Sequence, residues 1–244
     1  MSKPRMYHEF ADLWTLISHP DDYAEEARYW RDALRSKMGE GRHRVLEMGV
    51  GGGNNMSHLT SDFDFTATDL SEEMLRQSRK LNPDVEHIVG DMRDLRLGKT
   101  FDAVIVHDAI SYMTTEDDLL ATFETAAAHL VKGGVFVTSP DFFEEWFIEN
   151  SVSTNTTAND RTTLTHLEYQ YRPDRNRPVY ETIMIYLIRE DGTVRVEEDR
   201  HRFGLFPLRT WMDLLDKAGF DAETVPYDVH EDNHESYLLV GVKR

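Results

Sequence analysis

The sequence predicts an α/β protein, with a mostly parallel, doubly wound sheet that carries an antiparallel β insert. Three observations predict it. Apolar, β-branched runs alternate with helical patterns from residue 41 to 140. A cluster of four glycines follows the first of those runs, in VLEMGVGGGNN (45–55). After Pro140 the apolar period shortens to two, over residues 164–205.

Residues 7–38 read as two helices, a cap over residues 1–40. In the second, Tyr23, Ala27, Trp30 and Leu34 share one face at helical spacing. HRVLEMG is the first strand, and NNMSHLTS starts a helix. FDFTATD is a strand, and SEEMLRQSRKL is a helix with Ser71 as its N-cap ahead of two acids. VEHIVG and FDAVIVHD are strands. TEDDLLATFETAAAHLV is a helix capped by Thr115, and KGGVFVTSP turns into a fifth strand. Parallel strands buried on both faces read this way. Residues 151–163, polar and threonine-rich, read as a loop. LTHLEYQYR, VYETIMIYLI and TVRVEEDRHRFGLF alternate with period two, and Asp191-Gly192 makes a hairpin turn. Residues 151–206 therefore form an insert expected to lie across the top of the sheet as a lid. PLRTWMDLLDKAGF is a helix, and AETVPY and YLLVGV close the chain within residues 207–244. All 244 residues read as one domain.

The net charge of −18 comes from acids that are spread along the chain. Such a surface repels phosphate backbones and argues against a nucleic-acid substrate. No apolar run reaches membrane-helix length, and no signal-peptide core is visible. With no cysteine there is neither a disulfide frame nor a thiolate metal site, which fits a cytoplasmic protein.

The glycine loop lies between a strand and a helix, the ligand crevice of such a sheet. It ends Gly53-Asn54-Asn55, so the Gly-Lys-Ser/Thr of a phosphate loop is missing. Asn54 also occupies the third glycine position of a dinucleotide fingerprint, which disfavours an oxidoreductase. What remains is Glu47-x-Gly49-x-Gly51-x-Gly53. An acid there suits a ligand with a positive group near the loop. Asp69 ends the second strand, 18 residues after Gly51, where a carboxylate takes both ribose hydroxyls. Asp91 follows the third strand, placed either for an exocyclic base amine or to cap a turn. A nucleoside with an amino-acid tail and no phosphate is S-adenosylmethionine.

The stretches VLEMGVGGG, ATDLSEEML, GDMRDL, FDAVIVHDAISYM and LVKGGVFV resemble class I S-adenosylmethionine-dependent methyltransferases over residues 43–140. The resemblance implies a Rossmann-like fold with a seven-stranded sheet, and S-adenosylhomocysteine as product. It adds Met48, Leu70, Met92 and His107, within the matching stretches, to the cofactor-binding set. FADLW, DYAEEA, TSPDFFEEWF and RVEEDRHRFGLFPLRTWMDLLDKAGF are similar to small-molecule N-methyltransferases that dimethylate aminosugars. That likeness implies that Tyr7 and Tyr23 lie near the cofactor. It also implies that the insert shapes the substrate pocket and a homodimer. One departure stands out. VHEDNHESYLLVGV is acidic and lacks the arginine that serves a nucleotide diphosphate in that family, which speaks against a nucleotide-sugar substrate.

Methyl transfer from a sulfonium mainly asks the protein to position the nucleophile and exclude water. The candidate catalytic residues are His107, Tyr7 and Tyr112. His107 is either a base or a pocket wall, and Tyr7 either covers the sulfonium or packs a helix core. Tyr112, Phe142, Trp146 and His201 are candidates for the substrate wall. Phe142 and Trp146 alternatively pack the lid, and His201 alternatively sits exposed on a strand. His230-Glu231-Asp232-Asn233-His234 matches a zinc-protease signature but leads straight into a strand and holds poor helix formers, so no metal is expected. The expected activity is methyl transfer to a small-molecule acceptor, an amine before a hydroxyl. The alternatives are an O-methyltransferase and a non-catalytic cofactor-binding protein.

Overall fold

A computed structural model describes residues 4–227 and 236–244. Among the described residues eleven strands form two sheets. The first holds β1 (Arg44–Met48), β2 (Asp64–Asp69), β3 (Glu86–Val89), β4 (Phe101–Val106), β5 (Leu130–Thr138), β10 (Phe220–Pro226) and β11 (Tyr237–Lys243), in the order β10-β11-β5-β4-β1-β2-β3. Only β11 runs antiparallel to its neighbours.

The strands are buried on both faces, so successive residues feed two cores. Val45, Ala103, Ile105, Val135 and Val137 face α2 (Ala24–Met38), α3 (Asn54–Ser57) and α4 (Glu72–Leu81). Leu46, Met48, Val104, Val106 and Phe136 face α5 (Glu116–His129) and α6 (Leu208–Lys217). Ser71 and Thr115 cap α4 and α5, their side chains accepting from Met74 N and Asp118 N. Trp30, fully buried on α2, donates its indole N–H to Tyr227 OH at 3.1 Å.

The second sheet is antiparallel: β6 (Ser151–Ala158), β7 (Thr162–Tyr171), β8 (Val179–Glu190) and β9 (Thr193–Gly204). Two details differ from expectation. Residues 151–158 are a strand, not a loop, paired with β7 along their whole length. They form an edge strand with one side open, where threonine's branched, polar side chain fits better than its polarity suggests. The first of the two expected N-terminal helices shrinks to α1 (Trp14–Ile17) among 3₁₀ turns at 5–7, 11–13 and 20–23. Pro20 starts the last of these turns and bars continuation of the helix. Among the described residues no helix is long and apolar enough to cross a membrane.

Candidate active site

A cavity of about 920 Å³ opens at the carboxyl ends of β1 to β5. The N-terminal turns and the inner face of the four-stranded sheet complete it. Alternation along β8 and β9 sends Tyr180, Thr182, Asp199, His201 and Phe203 inward.

The glycine loop forms one end. Gly49 N and Val50 N donate to Thr68 O at 2.7 and 2.9 Å, hooking the loop onto β2. Gly49 has φ +75°, and a Cβ there would lie 2.4 Å from Ala109 Cβ. At Gly52 a Cβ would lie 2.0 Å from Trp14 Nε1. At these two positions close approach inside the protein is what excludes a side chain.

Three acids line this end. Glu47 is 2% exposed, and its Oε2 has no hydrogen-bond partner. Burial, reinforced by Asp108 and Asp69 and opposed by His107, pushes it up to about 8. Asp69 Oδ2 accepts from Gly51 N and Oδ1 from Ser71 N, each at 2.8 Å. Burial raises Asp69 despite those bonds, and each oxygen retains a further acceptor site. Asp91 is already engaged. Arg93 donates to it from Nε at 3.0 Å and from a terminal nitrogen at 2.6 Å, which holds it below the usual carboxylate range. Leu70 and Met92 line the cavity beside these acids, and Tyr23 lines it from the N-terminal side. Met48 does not line it. Its side chain is fully buried in the core facing α5 and α6, because alternation along β1 turns it away from Glu47.

Two further polar groups here were not singled out from sequence. Trp14 Nε1 and both amide atoms of Asn55 are buried without partners and belong to cavity-lining residues. Unpaired buried polar atoms in the lining of one cavity are costly unless a ligand or water completes them. The set complements an amino-acid tail, with Glu47 for the ammonium and the indole and amide N–H groups for the carboxylate. These residues therefore fit S-adenosylmethionine. Asn55 stands beside the glycine motif and was open to notice. Trp14 had no local signal, since its place over Gly52 depends on how the N-terminal turns fold back.

His107 is 8% exposed. Its Nε2 lies 2.7 Å from Glu26 Oε1 and its Nδ1 3.2 Å from Asp108 Oδ2. Burial alone would lower its pKa, but the charges of Asp108 and Glu26 outweigh burial and hold it well above its ordinary value. An imidazolium with both N–H groups engaged is a poor proton acceptor, which favours the pocket-wall role over the base. Glu26 also accepts from Tyr227 OH. Glu26, His107 and Asp108 bring donor atoms within 4.8 Å of one another, a closeness their mutual hydrogen bonds account for. The His230–His234 motif lies outside the described residues.

Tyr7 and Tyr112 both line the cavity. Tyr112 OH donates to Tyr7 OH at 2.8 Å and lies 2.5 Å from His201 Nδ1. His201 Nε2 is 2.9 Å from Asp199 Oδ2, which also accepts from Met6 N. His201 is thus neither a cavity-lining residue nor an exposed one. At 1% exposure it stands behind Tyr112 and fixes its position. Phe142 lines the cavity against Tyr180, with ring centroids 5.6 Å apart. Trp146 does not line it. It packs edgewise on Phe143 and beside Tyr237, each at 5.7 Å, on the core side of its turn. Asp141, unremarked in the sequence, does line the cavity and accepts from Tyr180 OH at 3.0 Å.

Comparison with known proteins agrees with this geometry. Residues 45–134 match the family described as "Methyltransferase domain". A dTDP-3-amino-3,4,6-trideoxy-alpha-D-glucopyranose N,N-dimethyltransferase of Streptomyces venezuelae is 36% identical over 168 residues, 67% of this chain and 70% of the relative. A dTDP-3-amino-3,6-dideoxy-alpha-D-glucopyranose N,N-dimethyltransferase of Streptomyces fradiae is 29% identical over 89% of this chain and 86% of its own. The crystal structure of Streptomyces venezuelae DesVI superimposes with a TM-score of 0.85 at 30% identity, covering 96% of this chain and 98% of that one. The chain belongs to the class I S-adenosylmethionine-dependent methyltransferases, within the group that includes these sugar N,N-dimethyltransferases.

Proposed function

We propose that this methyltransferase acts on the amine of an aminosugar-like small molecule, with the four-stranded sheet as the lid of its acceptor site. The observation that carries this reading is the single cavity that joins the cofactor acids to Asp141, Glu168 and Tyr112. The names of the relatives, which act on sugar amines, support it.

When bound, S-adenosylmethionine supplies a methyl group on a sulfonium that is already electrophilic. The protein's share is alignment and exclusion of water. Tyr7 and Tyr112, locked by His201 and Asp199, offer a rigid aromatic and hydroxyl wall. Burial raises both phenols, so they stay neutral near neutral pH. A protonated amine cannot attack, so it must first lose a proton to solvent, since His107 is already protonated.

The test is incubation with methyl-labelled S-adenosylmethionine and 3-amino-3,6-dideoxyglucose derivatives, read by mass spectrometry. Methylation at nitrogen supports the reading. Transfer only to the 3-hydroxyl analogue would make the enzyme an O-methyltransferase. Cofactor binding without turnover on either would make it a binding protein.

Glu47 makes cofactor binding depend on pH. In the free protein it is protonated below about 8, whereas a bound ammonium favours its carboxylate. Binding at pH 7 should therefore release close to one proton. Affinity for S-adenosylhomocysteine should rise nearly tenfold between pH 6 and 7 and level off above about 8. Calorimetry in buffers of different ionisation enthalpy reads the proton directly. Glu47→Gln should abolish the release, and a wild type that releases none would refute the assignment.

The outer face of the lid supports a homodimer. Leu187, Val194 and Val196 are 38%, 55% and 64% exposed and share that face, since Leu187 pairs with Val196 and Arg189 with Val194. Apolar patches of this kind mark contacts. Light scattering should give twice the 28.4 kDa chain mass, halved by Val196→Asp. A monomeric wild type would remove the dimer.

A further inference from the structure

The acceptor half of the cavity has its own electrostatic character. Asp141 enters it from the loop after β5, and Glu168 and Thr182 enter from the inner face of the lid. Thr182 is 1% exposed, and its Oγ1 has no hydrogen-bond partner although the residue lines the cavity. A buried hydroxyl in that condition is completed by a ligand or a water.

The charges facing Asp141 come from two places: His107 and Asp108 directly follow β4, and Glu168 lies on β7. Burial, and then Asp108, push Asp141 up to about 7. Glu168 pushes the same way, and Tyr180 and His107 oppose them. A positive charge placed among these carboxylates relieves the strain on all of them.

The charged His107 is already tied to Glu26 and Asp108, and no lysine or arginine among the described residues stands there for an anion. Among the described residues Arg93 is the one Lys or Arg that lines the cavity. It is bound to Asp91 and Asp118 at the opposite, cofactor end.

We propose that the acceptor is an amine that enters as a cation and brings no phosphate into the cavity, with Asp141 and Glu168 as its counter-ions and Thr182 Oγ1 as a hydrogen-bond partner. This rests on the amine-methylation reading above. It separates this enzyme from the relatives named for dTDP-linked sugars, whose diphosphate would meet like charge here.

A matched pair of acceptors tests it: the methyl glycoside of 3-amino-3,6-dideoxyglucose and the same sugar linked to dTDP. With the full chain and saturating S-adenosylmethionine, the glycoside should show a kcat/KM at least about tenfold higher. The nucleotide dTDP should not compete at millimolar concentration. Asp141→Asn should raise KM for the glycoside about tenfold or more with a smaller change in kcat, because a counter-ion acts on ground and transition states alike. Retained S-adenosylhomocysteine binding shows that the variant is folded. Equal or better turnover of the dTDP sugar, micromolar competition by dTDP, or an unchanged KM in Asp141→Asn overturns the proposal. If neither sugar is methylated while the cofactor product still binds, the amine reading falls and takes the proposal with it.

Discussion

Asp69→Ala is expected to weaken S-adenosylhomocysteine binding by roughly 10- to 150-fold, the range for losing hydrogen bonds to a charged group. Two effects add. The carboxylate has acceptor sites left for ligand hydroxyls, and it also ties Gly51 N and Ser71 N together at 2.8 Å each. Removing it takes away the ligand's partner and loosens the glycine loop against the start of α4. Asp91→Ala is the internal comparison. Its carboxylate is already engaged by Arg93, so its loss should cost less. Calorimetry on both variants decides the matter. An Asp69→Ala protein that binds like wild type would end the ribose assignment, and a larger effect at Asp91 would reverse the ranking.

Gly49→Ala should destabilise the fold by about 2–5 kcal/mol, adding left-handed backbone strain to overpacking. The new Cβ would lie 2.4 Å from Ala109 Cβ and 2.9 Å from Met92 Cε, at φ +75°. Met92 Cε, at the end of a flexible side chain beside the cavity, can shift, but Ala109 Cβ cannot move without its backbone. Ala109 sits in the turn after β4, and Met92 packs against the core that faces α5. For a chain of this size the melting temperature should fall by roughly 5–15 °C. Gly192→Ala separates the two causes. It has a similar φ of +80°, but nothing lies within 4 Å of its Cβ position. It should cost about 1–2 kcal/mol, the strain alone. Equal losses in calorimetric scans of the two variants would show that crowding at Gly49 plays no part.

The cofactor end was readable because each of its requirements is local. Glu47, the glycines, Asp69 and Asp91 sit at strand ends, and a parallel sheet brings strand ends to one edge whatever the rest of the chain does. The caps at Ser71 and Thr115 and the hairpin at Asp191-Gly192 are local for the same reason. Residues 151–158 read as a loop by their polarity, but threonine's β preference on an edge strand makes them β6.

The acceptor end depends on contacts between residues far apart in sequence. FDAVIVHD left His107 open as a base or a pocket wall, and Glu26, 81 positions away, joins Asp108 in holding it charged, which favours the wall. His201 looked like a lid residue facing substrate or solvent. Its partners, Tyr112 and Asp199, place it in a buried layer behind the cavity wall. Trp14 reaches the glycine loop only because the N-terminal turns fold back across it. By itself the sequence determined the parallel sheet, the glycine loop and the acids at its strand ends, since periodicity and turn chemistry act within a few residues. The tertiary structure alone decided which titratable groups meet one another, and so which are charged, because burial and charge pairing arise between segments that no local pattern connects.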